Sequence, residues 1–386
     1  MSDYASRLLT SLIRGYYSKA DIASIAPDRI EQREFGFGVI GNKVAGRHYS
    51  FKSASQLKEF LISNAPAFVD YSAAYYKEPS ARPMERKGWL GSELRFDLDA
   101  SDPKYDCGVH SKDWLCDERL DAVKRDTLLL IEDFLLSDLG FSEKEISINF
   151  SGNRGYHVHI ASDSVLQLDA HAREELCSYI KPTKLSPLLL FPDLSSKKKG
   201  SQFSGPKPSD GGWRGKIAKA FIERLGNPER LAELGIDMRM AKRLSKEKEL
   251  VELGVRNGSW GMTRIPMKSI YWNNVISKIV WEKSAYIDAN VTKDPSHLMR
   301  LAGTIHGGTG FVAKKLGGIA ALERFDPMKG AIVFEEGVLS ISAKTPYALR
   351  IGDSTLGPYN GERAEVPMYA GVYLYLKGFA DIISTQ

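Results

Sequence analysis

A short stretch of alternating apolar and charged residues, Leu94–Asp99, constrains the fold of this chain more than any other feature. Its leucine and phenylalanine side chains fall on one face of a strand, whereas Arg95, Asp97 and Asp99 fall on the other. Residues two positions apart on one face lie roughly 6.5–7 Å apart along the backbone. Two carboxylates at that spacing can converge on cations, as a site with two metal ions about 3.5–4 Å apart requires. An edge strand that shows its acids to water explains the same pattern, so other segments must decide between the two interpretations.

Composition sets wide limits on the class of protein. A chain of 386 residues can bury a large core, with either one domain that carries an insertion or two domains. No apolar run is long enough to cross a bilayer, and the charged N-terminus does not read as a signal peptide, so we expect no membrane association. Three cysteines exclude a disulfide framework and fit a reducing cytoplasm. The net charge of +5 tolerates a nucleic-acid partner without demanding one.

Strand and helix patterns interleave in the first and last thirds of the chain. This predicts an α/β (α+β) core of mixed sheets flanked by helices. Between 169 and 268 the periodicity becomes helical, which predicts a mainly helical inserted subdomain. The predicted organisation is therefore a core in two parts, 1–168 and 269–386, separated by that insertion. In the second part of the core, the patterns predict a strand at 285–291 and a final helix at 366–383.

The segment Ser-Gly-Asn-Arg-Gly-Tyr-His at 151–157 reads as a strand, a turn and a second strand. Its two glycines let backbone N–H groups approach an anion closely. Arg154 offers a planar guanidinium suited to phosphate, and Ser151 and His157 add a hydroxyl and an imidazole. Together these hydrogen-bond donors suit the binding of a triphosphate. A tight hairpin turn with an exposed arginine explains the segment equally well.

Two later segments add polar groups of the same kind. Asp288 stands in an alternating stretch and supplies the third carboxylate that a metal pair needs, although a lone acid near a strand end is common. Arg300 and His306 flank the start of a glycine-rich turn at 304–310 and add donors for phosphate. Each of these segments is weak evidence by itself.

A polar loop at 101–118 carries Cys107, His110 and Cys116 at spacings that suit a tetrahedral Zn²⁺ site. Arg119 occupies the position that a Cys-x2-Cys pair would use, so the fourth ligand is open. The oxygen candidates are Asp113, Asp117, Glu118 or a water molecule. The alternative is a pair of free thiols without metal.

Together these segments resemble the catalytic small subunit of the archaeal and eukaryotic type of DNA primase. The matching segments follow the family's order across roughly residues 30–315, and no single one is specific. They are Arg33-Glu34-Phe35-Gly36-Phe37, Lys87-Gly88-Trp89-Leu90-Gly91-Ser92-Glu93-Leu94, Phe96-Asp97-Leu98-Asp99, residues 151–157, Arg300-Leu301, and Thr304-Ile305-His306-Gly307 with Thr309-Gly310.

The resemblance implies a primase-type core with a variable helical subdomain, and it implies roles for individual residues. Asp97, Asp99 and Asp288 would be the catalytic residues that bind Mg²⁺ or Mn²⁺. The residues implied to bind the nucleotide are Ser151, Arg154, His157, Arg300 and His306, with Glu34, Arg47 and Asp70 as less secure matches. Cys107, His110 and Cys116 match the family's zinc ligands.

Two positions depart from the family pattern. Asn153 stands where relatives carry a second arginine, so one phosphate contact is expected to be weaker. Arg300 stands where some relatives have lysine, and either cation can serve a phosphate.

The implied activity is DNA-dependent RNA polymerisation, in which NTPs form short RNA primers on single-stranded DNA for replication, with some use of dNTPs. Lys87, Arg82, Arg86 and the basic insertion would guide the template. A large-subunit partner in a heterodimeric primase is implied, because the chain shows no second nucleotide site. The alternatives are a repair, end-joining or translesion polymerase of the same superfamily, a Mn²⁺-dependent glycosyltransferase that uses nucleotide sugars, and a non-catalytic nucleic-acid-binding subunit.

Overall fold

The computed structural model of the chain describes residues 3–111, 114–195, 203–265 and 269–385. Strands within these ranges pair in antiparallel fashion throughout. The strands are β1 Phe35–Val39, β2 Asn42–Tyr49, β3 Phe68–Ser72, β4 Ala74–Tyr76, β5 Trp89–Ser92, β6 Leu94–Asp99, β7 Ile146–Phe150, β8 Gly155–Ile160, β9 Leu298–Arg300, β10 Lys314–Leu316, β11 Val338–Lys344, β12 Leu349–Ile351, β13 Ser354–Leu356, β14 Asn360–Pro367 and β15 Ala380–Thr385.

The helices alternate with the strands at both ends of the chain and follow one another in its middle. They are α1 Asp3–Lys19, α2 Ile22–Ile25, α3 Ala54–Asn64, α4 Asp117–Leu129, α5 Ala170–Ile180, α6 Pro187–Leu190, α7 Gly212–Ile222, α8 Pro228–Glu233, α9 Met238–Lys246, α10 Lys248–Arg256, α11 Ser269–Lys283, α12 Ala289–Lys293, α13 Ile319–Arg324, α14 Pro327–Gly330 and α15 Met368–Leu376. A π-helical segment, Leu130–Asp138, continues α4. The predicted mixed α/β fold is confirmed.

The chain divides into two compact units. The first comprises Met1–Leu128, Phe141–Glu175 and Tyr286–Gln386, and the second comprises Leu129–Gly140 and Leu176–Ala285. The described strands all lie in the first unit. The domain boundaries expected from composition, after residues 168 and 268, stay a prediction.

Three sheets organise the first unit, with the strand orders β2-β1-β3-β9, β10-β7-β8-β6 and β14-β11-β15. The second of these carries the alternating stretch as β6. Its apolar residues Leu94, Phe96 and Leu98 are fully buried, as predicted, whereas Asp97 and Asp99 stay partly exposed. Burying one face of the strand fixes its register, because a slip of one residue would turn the acids into the core.

The second unit is helical around an aromatic core. Trp260 and Trp272 are fully buried, and their rings pack edge to face at 5.5 Å between centroids. Phe191 contacts both tryptophans. The helices α7, α10 and α11 enclose this cluster, so burial of large aromatic side chains holds the short helices together. The short helices gain little from propensity alone.

Two secondary-structure predictions were wrong in the last third of the chain. Residues 285–288 have no regular structure, and Asp288 caps the short helix α12 by accepting from the N–H of Asn290. The predicted final helix at 366–383 is helical only in α15, between the strands β14 and β15. Apolar runs of this length suit a buried helix or a strand, and pairing of β14 and β15 with β11 decided the outcome.

Candidate active site

Three aspartates from two distant segments lie together at the end of β6. Asp97 and Asp99 lie on this strand, and the backbone N–H of Asp288 donates to the carbonyl oxygen of Asp97 at 2.8 Å. Burial, followed by the charges of Asp99 and Asp288, raises the pKa of Asp97 to about 7. After burial, the neighbouring negative charges are the next causes of this raised pKa. A divalent cation would offset their repulsion.

The neighbouring strand β8 brings the glycine-bounded turn beside the acids. Asp99 pairs with Gly155, and Asp97 pairs with His157. A side chain at Gly155 would place its Cβ 2.0 Å from the carbonyl oxygen of Leu98, so glycine is required for this approach. This pairing places the two aspartates of β6 beside His157 of β8 and beside the turn that precedes β8.

The turn at 151–155 is held by its own side chain and by a distant loop. The Ser151 hydroxyl accepts from the N–H groups of Asn153 and Gly155, at 3.3 and 3.2 Å. Gly152 adopts a left-handed φ of +82°, and its carbonyl oxygen accepts from the Thr309 hydroxyl at 2.6 Å. The Ser151 hydroxyl keeps its own proton to donate to an anion.

Arg154 and His157 face the acids in different charge states. The Nε atom of Arg154 donates to Asp99 Oδ1 at 2.7 Å. The Nε2 atom of His157 lies 3.6 Å from Asp97 Oδ1. Burial, then the positive charge of Arg300, lowers the pKa of His157 to about 3, so this imidazole is neutral at pH 7. Its buried Nδ1 has no hydrogen-bond partner among the described residues. Buried polar atoms are usually hydrogen-bonded, so this atom suits a bound ligand.

Arg300 and His306 contact the same aromatic ring, and His306 adjoins the turn at Gly152. The Arg300 guanidinium lies 3.4 Å from Asp70 Oδ1 and stacks 4.9 Å above the ring of Phe68. Phe68 also packs edge to face against His306, at 5.2 Å between centroids. The N–H of Gly308 donates to His306 Nδ1 at 3.2 Å, which leaves the proton on Nε2 to be donated. Burial and Arg300 hold the pKa of His306 well below its usual range, so it too is neutral.

Cys107, His110 and Cys116 come together with ligand atoms within 4.8 Å of one another. The sulfur of Cys107 lies 3.5 Å from His110 Nδ1 and 3.7 Å from the sulfur of Cys116. Tetrahedral zinc with the usual bond lengths has edges of about 3.4–3.8 Å, so the three residues fit one face of such a site. Burial opposes ionisation of Cys107, but hydrogen bonds from the backbone of His110 and Val109 lower the pKa of this thiol to about 6.

The fourth zinc position remains open. Asp117 accepts from Arg350, and Asp113 lies outside the described residues. Arg119 donates to the carbonyl oxygens of Ser111, Trp114 and His110 and to Asp106, at 2.7 to 3.2 Å. Arg119, at the sequence position expected for a fourth ligand, therefore stabilises the loop through hydrogen bonds.

Lys87 is not the exposed template contact that the sequence predicted. Its side chain is fully buried, with Nζ 3.3 Å from Glu34 Oε2 and a hydrogen bond to the Pro79 carbonyl oxygen. Arg47 and His48 contact the other oxygen of Glu34. Arg82 and Arg86 are exposed, as expected. Local sequence could not separate Lys87 from these neighbours, because its acidic partner precedes β1 and is distant in the chain.

Sequence reasoning also missed Lys377, which follows α15. Its Nζ atom donates to the side-chain oxygen of Asn153 at 3.0 Å, within the turn that follows β7. The predicted helix ran through this position, and no local pattern distinguished the lysine from a solvated residue of the last turn.

Comparisons with known proteins identify the group to which this architecture belongs. The family model described as "DNA primase small subunit" matches residues 96–317, a range that includes Asp97 and Asp99, the turn and the segment through Arg300 and His306. The chain belongs to this family. A DNA primase small subunit is a polymerase-type nucleotidyltransferase, so the chain is an enzyme of that class.

Individual relatives match along nearly the whole chain. A protein of Methanothrix thermoacetophila named DNA primase small subunit PriS is 34% identical over 99% of this chain and 100% of its own length. Proteins of the same name from Methanococcoides burtonii and Thermoplasma volcanium are 33% and 31% identical, over 97% and 99% of this chain and 97% and 100% of their own lengths. Among the described residues, no helix is both long and apolar enough to cross a membrane.

Proposed function

We propose that this chain is the catalytic subunit of a DNA primase that joins NTPs into short RNA primers on single-stranded DNA, with some use of dNTPs. The observation that carries this proposal is the meeting of Asp97, Asp99 and Asp288 beside the turn at 151–155. One part of the site is acidic and suits cations, and the adjoining part carries donors that suit phosphates.

In the proposed mechanism, Asp97, Asp99 and Asp288 would hold Mg²⁺ or Mn²⁺. Such ions make a bound hydroxyl more acidic and offset charge on a triphosphate. Arg154 binds phosphate oxygens through the guanidinium that now donates to Asp99. Ser151 and the neutral His157 add uncharged hydrogen bonds, and Arg300 and His306 bind further along the nucleotide. Donors fixed in advance at developing charge stabilise the transition state.

The remaining assignments follow from the same proposal. Arg82 and Arg86, both exposed, would contact template phosphates in a manner sensitive to salt. The loop at 101–118 would bind zinc through Cys107, His110 and Cys116. A large subunit would supply the second nucleotide site that initiation needs. The three cysteines form no disulfide, and we expect a reducing cytoplasm.

Primer synthesis on single-stranded DNA with labelled NTPs, with and without Mn²⁺, tests the proposal. We expect the wild type to make short RNA, Asp97→Ala to make none, and added large subunit to raise initiation. Equal products from both proteins would refute the site assignment. Extension of existing primers without initiation, even with a large subunit, would favour a repair polymerase. Transfer from a UDP-sugar would favour a glycosyltransferase.

A further inference from the structure

The end of α15 reaches the turn that we assign to triphosphate binding. Lys377 directly follows this helix, and its Nζ atom donates to Asn153 Oδ1 at 3.0 Å. The two residues are far apart in the chain, and both side chains are partly buried.

Close packing of three segments places this lysine beside the site. A Cβ atom added to Gly152 would lie 2.9 Å from the Cβ of His306, so the turn and the loop at 306–310 are in direct contact. Thr309 of this loop donates to the Gly152 carbonyl oxygen at 2.6 Å. Lys377 therefore lies beside the turn at 151–155, which is itself in contact with the loop at 306–310.

The positive charge of Lys377 affects His306, a residue that we assign to the nucleotide site. After burial and Arg300, Lys377 is the next cause that holds the pKa of His306 below its usual range. A bound triphosphate carries several negative charges, and Lys377 brings a cation to the turn.

We propose, on the basis of the function proposed above, that Lys377 is a nucleotide-binding residue that contacts the triphosphate at the turn 151–155. Asn153 occupies the position at which the family pattern carries a second arginine. Lys377 restores the positive charge at this position from another part of the fold, and the Asn153 amide orients the amine toward the phosphates. The weaker phosphate contact expected from Asn153 alone is thereby compensated.

The test measures binding of inorganic pyrophosphate and of ATP, each with Mg²⁺, by calorimetry. Lys377→Met keeps most of the length of the side chain and removes its charge, and we expect it to weaken binding of both ligands by about tenfold. Lys377→Arg should stay within about threefold of the wild type. Lys329→Met is the matched control, because this exposed lysine pairs with Asp353 and should not change binding.

Two further variants separate phosphate binding from support of the turn. Asn153→Ala removes the hydrogen bond but keeps the amine, so we expect a smaller loss than in Lys377→Met. In the double variant Asn153→Arg with Lys377→Met, the charge returns to the turn, and binding should recover most of the loss. Unchanged thermal melting of Lys377→Met would accompany the weaker binding.

Specific outcomes overturn the inference. Wild-type affinity for pyrophosphate in Lys377→Met would refute it, and equal losses in Asn153→Ala and Lys377→Met would assign Lys377 a supporting role only. Failure of the proposed function is distinct from both results: a wild-type chain that binds pyrophosphate through Lys377 but makes no primer would refute primer synthesis while upholding the contact.

Discussion

Asp288 donates its backbone N–H to the carbonyl oxygen of Asp97 at 2.8 Å, so two distant parts of the chain meet through a main-chain hydrogen bond. This bond fixes the position of Asp288, although Asp288 is not part of a strand. Because the bond joins backbone atoms, exchange of the Asp97 side chain should leave the geometry of the neighbouring segment largely intact. Substitutions of Asp97 therefore report on charge, whereas a substitution of Asp288 also removes the cap of α12.

The first prediction concerns the stability of the metal-free chain. Asp97 has a pKa of about 7 in the folded state and about 3.9 when unfolded. Between these values Asp97 keeps a proton in the folded state that it has lost in the unfolded state, so the contribution of Asp97 to the free energy of unfolding should fall as the pH rises from about 4 to about 7 and change no further above that. Compared with the wild type, Asp97→Asn should lack this contribution and should raise the melting temperature in EDTA at about pH 8.

The measurement is thermal unfolding in EDTA across this pH range. Asp163→Asn, a substitution of an exposed loop acid, is the control and should follow the wild type. A profile for Asp97→Asn that matched the wild type would contradict the charge repulsion inferred at the site. Addition of Mg²⁺ should stabilise the wild type more than Asp97→Asn.

The second prediction concerns the turn. Gly152→Ala would force a side chain onto a backbone with φ of +82° and bring its Cβ within 2.9 Å of His306. We expect a loss of about 2–4 kcal/mol in unfolding free energy and weaker pyrophosphate binding. Gly361→Ala is the matched control, because Gly361 has φ of +96° and no atom within 4 Å of an added Cβ. It should lose only about 1–2 kcal/mol and bind normally.

The third prediction concerns the buried lysine. Lys87→Met leaves Glu34 in the interior with less compensation, and we expect a loss of about 3–5 kcal/mol in unfolding free energy. Arg86→Met changes the exposed neighbour and should hardly alter stability, while it weakens binding of single-stranded DNA at low salt. Denaturant melts and fluorescence anisotropy with labelled DNA measure the two effects. A stable Lys87→Met protein with weakened DNA binding would reverse our assignment of these residues.

The fourth prediction concerns the cysteine loop. Arg119 joins the loop through four hydrogen bonds, so removal of metal by a chelator should leave much of the wild-type loop protected from hydrogen exchange. Arg119→Gln should make protection strongly dependent on added Zn²⁺, because the loop then relies on the two thiols and the imidazole. Arg125→Gln is the control, an exposed substitution on the same helix. Equal effects of the chelator on wild type and Arg119→Gln would contradict this division of roles.

The local sequence determined the parts of the site that depend on residues close together in the chain. Alternation around Asp97 and Asp99 predicts a strand with its acids on one face, and the two glycines at 152 and 155 predict the turn that follows β7. Both features depend on backbone geometry within a few residues. The order of the segments also pointed to the family.

Tertiary structure alone decided which distant groups joined these segments. Asp288 reached the acids from an irregular segment, Lys87 found Glu34 in the interior, and Lys377 arrived at the turn from the end of the chain. Each of these contacts arises because packing of the sheets brings separate elements together, and the charge and burial of a side chain then depend on neighbours that no local pattern encodes. The sequence therefore specifies the acidic strand and the turn, and the packed fold specifies the charges around them.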